Sequence, residues 1–168
     1  MTTAPEVVSS VRAAVSAEML AWMLGVEAKA AEQIDAGPGP RTDRGETKRS
    51  LQVEGPEPTQ EGLRGVIRAT SPHAVNVHEG RSPGSRRPPI AALVPWVERK
   101  LGVSGAEARS VAFLVARAIG RRGIRANPFL REPVREALPT LAPRLAEAAA
   151  RGLAAAIPPQ RAGSGSTV

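Results

Sequence analysis

Residues 88–130 read PPIAALVPWVERKLGVSGAEARSVAFLVARAIGRRGIRANPFL, and this run carries most of the helix punctuation and, at +5, most of the chain's net charge of +7. Pro89 suits a first helical turn, where its missing N–H has no intrahelical bond to lose. Ile90, Leu93, Val94, Val97 and Leu101 then recur at helical spacing until Gly102 interrupts them, which predicts a short amphipathic helix. Ser104 followed by Glu107 has the spacing of a capping box, so a second helix should begin there. Its apolar set is Ala108, Val111, Ala112, Val115, Ala118 and Ile119, and Gly120 or Gly123 can supply the left-handed residue that ends it. Arg117, Arg121, Arg122 and Arg125 gather at that end, where cations suit the helix dipole.

Outward from this pair, Val8, Val11, Val15, Met19, Trp22, Val26 and Ala30 step by three or four, which predicts a long amphipathic helix from about Pro5 to Asp35. Its two basic and five acidic residues give it a net charge of −3 in a chain of +7. Arg12, Glu18, Glu27 and Lys29 interrupt its apolar character, so no membrane span is expected, and the start lacks the basic residues of a signal peptide. GPGPRTDRGETKR, residues 37–49, has nothing apolar to bury and reads as a flexible linker. Ser50–Val53 and Leu63–Thr70 can be extended, and Val75 and Val77 alternate with Asn76 and His78 as in a half-buried strand, with Ser71, Pro72 and His73 as the turn before it. RSPGSRRPP, residues 81–89, reads as an exposed loop. Asn127 is a good N-cap with Pro128 after it, and Leu130, Val134, Leu138, Leu141, Leu145 and Leu153 continue a helical stripe to Ile157. Pro139 and Pro143 predict a kink or break at about 138–143, because each removes a backbone donor. The predicted fold class is α+β: a small antiparallel hairpin packed with long N-terminal and C-terminal helices and a central helical pair. The boundaries are an N-terminal helix over 1–36, the linker over 37–49, an α+β domain over 50–157 and a disordered tail over 158–168.

An extended element ending in Val77, Glu79 and Gly80, an arginine and proline loop, then Trp96, Val97, Lys100, Leu101 and Gly102, an alanine-rich helix, and finally Gly123, Pro128, Phe129 and Leu130 follow one another in a characteristic order. In that order and spacing the chain resembles the neck and tail-completion proteins of tailed bacteriophages, also described as head–tail joining proteins or minor tail components. The likeness runs roughly from Gly62 to Leu145. It departs from the family pattern at His73 and Ala74, where an aromatic is common, and at PTQEGL, where small residues and threonine are usual. The resemblance implies a structural protein that forms a homo-oligomeric ring, possibly a hexamer, between the head connector or stopper and the tail terminator or tail tube. It further implies a place in the virion after assembly in the bacterial cytoplasm, with DNA passing through the lumen unread.

Composition suits an assembly part. The chain has 168 residues with 16 Gly and 16 Pro, and with two Trp, two Phe and no Tyr its core must rest on Ala, Val, Leu and Ile. No cysteine is present, which excludes disulfide and thiolate chemistry. His73 and His78 are the only histidines and read as surface or turn residues rather than metal ligands. GPGP and GSGS lie in no strand-to-helix turn, no serine occupies a nucleophile elbow, and no catalytic carboxylate pair is recognisable, so no enzyme activity and no cofactor are expected. Charge is the remaining signal. Residues 81–125 hold ten basic and two acidic residues, a net of +8. Arg81, Arg86, Arg87 and Pro88 are the candidate subunit or partner contacts. Trp96, Leu101, Phe129 and Leu130 are the candidate structural anchors, and Arg117, Arg121, Arg122 and Arg125 can face DNA. The alternative is a basic protein that binds duplex DNA without reading sequence, since the second helix offers few base-reading side chains and no aromatics for single-strand stacking.

Overall fold

Long alanine-rich and leucine-rich stretches make helix the dominant element, and the computed structural model, which describes residues 3–37 and 45–157, has six helices and one antiparallel hairpin among those residues. In chain order these are α1 (Ala4–Ala36), α2 (Glu46–Arg49), β1 (Leu51–Thr59), β2 (Gly62–Ala69), α3 (Ala74–Glu79), α4 (Ile90–Leu101), α5 (Gly105–Arg122) and α6 (Arg131–Ala156). The α+β class and the long terminal helices are as the sequence predicts. The proposed tail over 158–168 and the central part of the linker, 38–44, lie outside the described residues. The chain divides into two compact units whose boundaries cut through α1, the hairpin and α6.

One unit holds residues 3–25, 54–66 and 136–157. Here the first part of α1 meets α6 so closely that the Ser10 hydroxyl donates to the Gly152 carbonyl at 2.9 Å, and a Cβ on Gly152 would come within 2.8 Å of the Val11 backbone. The Trp22 indole N–H donates to the Ala137 carbonyl at 3.2 Å and lies 3.3 Å from the Thr140 hydroxyl oxygen. Gly65 on β2 admits the Met23 thioether, leaving Met23 buried. Pro56 and Pro58 are two residues apart on β1, so their missing N–H groups fall on one edge, which a two-stranded sheet leaves unpaired. Of the predicted kink or break at Pro139 and Pro143, the break is absent: α6 is continuous through both. Both prolines are on the exposed side, where the carbonyls they orphan can meet water.

The other unit holds residues 26–37, 45–53 and 67–135. Its first core gathers Ala30, Ile34, Leu51, Ala74 and Phe129, with Ala31, Ala69, Val77 and Leu130 packed against them. Its second joins α4 to α5 through Val97, Ala108 and Ala112, flanked by Leu93, Val94, Trp96, Val103 and Val111. Ala108, Ala112, Ala116 and Gly120 recur every four residues and are all buried, so α5 presents a stripe without long side chains to its neighbours. Gly102 ends α4 at φ 69°, as predicted, and Gly123 ends α5 at φ 73°. Gly120 is instead an interior helical residue.

Several local expectations are corrected in this unit. The hairpin pairs β1 with β2, so PTQEGL supplies the turn between strands, and the stretch 74–79 is helical rather than a strand. Ser71 starts that helix: its carbonyl accepts the Ala74 N–H at 3.0 Å and its hydroxyl accepts the His73 N–H at 3.3 Å. Ala74 and Val77, three apart, face the Phe129 core while Val75 is 69% exposed, so helical spacing prevails over the alternation of valines. Within the stretch read as linker, Glu46–Arg49 form one helical turn with Thr47 buried, and Lys48 pairs with Asp35 at 2.5 Å. Pro89 caps α4 in extended conformation rather than entering its first turn. Ser104 occupies the cap position of α5 but makes no side-chain capping bond. Asn127 does not cap α6, which begins at Arg131; its buried amide donates to the Gln33 carbonyl near the end of α1 at 3.0 Å.

Candidate functional site

The loop of residues 81–89 and the end of α5 are adjacent in space. Arg81 and Ile124 exchange two backbone hydrogen bonds, 2.8 and 2.9 Å long, as an isolated antiparallel bridge, and the Gly84 N–H donates to the Gly120 carbonyl at 2.8 Å. Glycine makes this closure possible. Gly80 has φ 70°, and a Cβ there would stand 2.5 Å from the Ile124 carbonyl oxygen and 2.6 Å from the Ala126 nitrogen. Gly123 likewise has its Cβ position filled by the Arg81 carbonyl. The Arg87 stem lies over Gly120, 2.7 Å from where a Cβ would be.

This closure brings together the two groups of arginines that the sequence leaves separate. Arg81, Arg86 and Arg87 come from the loop, Arg117, Arg121 and Arg122 from α5, and Arg125 from the segment after it. All except the half-buried Arg81 are exposed. The Arg81 guanidinium donates to the Arg86 carbonyl at 2.5 Å, which holds the loop in shape. None of the seven forms an ion pair with a carboxylate among the described residues. Pro88 is half-buried beside them.

Phe129, six residues after Gly123, is 1% exposed in the core with Ala30, Ile34, Leu51 and Ala74, and the His78 ring stands edge-on to it at 5.0 Å. His78 is therefore a packed side chain rather than a plain surface residue. Burial pushes its pKa below the ordinary 6.5, with Glu79, 3.7 Å away, opposing that shift and Arg131 reinforcing it. The Asn127 N–H donates to the Val77 carbonyl at 2.9 Å, so α3 is joined to the GIRANPFL segment two residues before Phe129.

The anchor residues divide. Phe129 is fully buried, and Trp96 and Leu130 are half-buried against the two cores. Leu101 is 55% exposed, and Val97, fully buried, takes its place in the α4–α5 contact, because Leu101 falls on the last turn of α4. Sequence reasoning missed Phe113 and Leu114, which are 44% and 59% exposed on α5. The signal was available: Leu114 lies opposite the Ala108, Ala112, Ala116 and Gly120 stripe and Phe113 on its flank, both on the side of Arg117 and Arg121.

Among the described residues no group of three or more His, Cys, Asp or Glu is placed to hold a metal ion. A concavity at the hairpin tip is lined only by the consecutive residues Thr59 to Arg64. Helix α1 is a correction to the membrane expectation: by length and hydropathy it is apolar enough to cross one, with 11% of its most apolar 18-residue stretch buried. Leu20 and Leu24 are exposed along it. No family model matches the chain, and neither does any curated protein or solved structure.

Proposed function

We propose that this chain is a non-catalytic structural protein of a tailed-bacteriophage neck, acting in head–tail joining as a homo-oligomeric ring. The observation that carries the reading is the use made of the motifs behind the resemblance. Gly80 and Gly123 close the backbone, and Phe129 and Leu130 fill the core, so these residues serve shape rather than chemistry. What faces outward is contact surface: Phe113 and Leu114 on α5, Leu20 and Leu24 on α1, and the seven arginines. Exposed large apolar side chains next to arginine match the composition of protein interfaces, where aromatic residues and arginine are enriched.

A ring needs a heterologous contact, in which one patch of a copy meets a different patch of the next. The apolar residues of α5 and of α1 supply two such different patches. The mechanism is geometric: a fixed backbone closure holds a charged rim, and copies multiply it around an axis.

Deleting the gene from the phage genome that carries it tests the reading. The expected result is finished heads and finished tails that fail to join, restored by supplying the protein from a plasmid. Joined, infectious particles in its complete absence would overturn it.

A further inference from the structure

We infer that the surface formed by Arg81, Arg86, Arg87, Arg117, Arg121, Arg122 and Arg125 is a binding site for the phosphate backbone of duplex DNA. The inference rests on the neck reading only for where that duplex is met; the site itself is argued from the side chains.

Seven like charges held together by a rigid backbone repel one another, and no carboxylate among the described residues forms an ion pair with any of them. Three other arginines are paired, Arg131 with Glu79 and Arg144 and Arg151 with Glu18, while Arg12, Arg64 and Arg135 stand singly on separate elements. The α5 C-terminus offsets part of the repulsion for Arg121 and Arg122 alone. A polyanion would offset it for all seven.

Two kinds of anion suit arginine, phosphates and acidic proteins. The neighbours of these arginines favour phosphate. Ser82, Pro83, Gly84, Ala118 and Ala126, exposed between and beside them, are small or rigid. Protein interfaces concentrate their energy in large side chains that fill pockets, and the immediate exposed neighbours of the loop arginines and of Arg125 offer none. Phe113 and Leu114 stand one turn before Arg117 on the same side of α5, at the edge of the arginine surface, and serve the protein contact proposed above. Backbone phosphates require no apolar anchor, because affinity comes from released counterions. With Phe113 as a single exposed aromatic at its edge, the cluster does not suit single strands, which bind by stacking successive bases on several. The lack of asparagine and glutamine there leaves the duplex unread.

Fluorescence anisotropy of a labelled mixed-sequence duplex with the full chain, across a salt series, tests the site. With each phosphate contact contributing a slope of about 0.9, seven arginines set a ceiling of about −6 for log K against log salt. R117Q/R121Q/R122Q should flatten the slope by up to about 2.7 and leave the unfolding midpoint in place. R12Q/R64Q/R135Q removes the same charge from segments outside the cluster and should leave the slope as it was. Equal losses in the two triples would show diffuse charge and overturn the inference. So would absence of binding at about 50 mM salt, or competition by polyglutamate as effective as by unlabelled duplex. Failure of the neck reading registers differently, as a wild-type protein that never forms rings, whatever its affinity for DNA.

Discussion

Arg144 and Arg151 on α6 and Arg121 and Arg122 on α5 are chemically the same group put to opposite uses. The first two close on Glu18 of α1 at 2.6 and 3.0 Å, and this pairing, Arg144 above all, pulls the Glu18 carboxyl below its ordinary pKa. The second two, with the five arginines that join them, have no internal carboxylate among the described residues. Where a chain clamps its arginines, their charge is spent on its own architecture. Where it gathers them on a rigid surface and leaves them unpaired, an anionic partner is the feature that completes the arrangement.

The contrast depends first on the platform under the unpaired group. Phe129→Ala opens the core on which the segment after Gly123 rests and should lower stability by about 3–5 kcal/mol in denaturant unfolding. Gly123→Ala places a Cβ against the Arg81 carbonyl at φ 73°, and a left-handed non-glycine residue alone costs on the order of 1–3 kcal/mol. A Gly123→Ala protein as stable as wild type would show that the closure does not hold the arginine surface.

Neutralisation separates the two arginine groups more finely. Glu18→Gln should lower the unfolding midpoint, since it strips Arg144 and Arg151 of their partner, whereas R121Q/R122Q should leave it within about 0.5 kcal/mol of wild type. Equal destabilisation by both variants would abolish the distinction.

The smallest effects are in pH. The His78 pKa is lower folded than unfolded, so between those values the unfolded state binds more protons. Its contribution is full above about 6.5 and is lost as pH falls through the folded value. Glu18, also lowered, follows the same sign in a more acidic window, with its contribution full above about 4.5 and lost below. Stability measured from pH 7 downward should therefore decline in two stages, and His78→Gln should remove the first alone.

Much of this architecture was legible from periodicity and punctuation. The α1 stripe, the Gly102 stop and the helical pair after Pro89 depend on neighbours within a few residues, which a sequence displays directly. Failures occur where distant residues decide. Val75 and Val77 alternate like a strand, yet Phe129 and Ile34 offer a core that Ala74 and Val77 reach only on a helix. Asn127 has the chemistry of a cap, but the Gln33 carbonyl claims its amide. The prolines of α6 were expected to break it, and their placement on the exposed side lets the helix continue. For the candidate site, every arginine was visible in sequence. Their union into one surface was not, because it follows from Gly80 and Gly123 admitting backbone where any side chain would intrude.

Electron microscopy of the purified full chain, paired with sedimentation, tests the central claim most directly. A structural ring protein predicts closed annular particles for wild type and for R117Q/R121Q/R122Q, and smaller species for F113S/L114S with an unchanged unfolding midpoint. A wild-type chain that stays monomeric and folded at every concentration, or rings that persist in F113S/L114S, would contradict the account of how these outward faces are used.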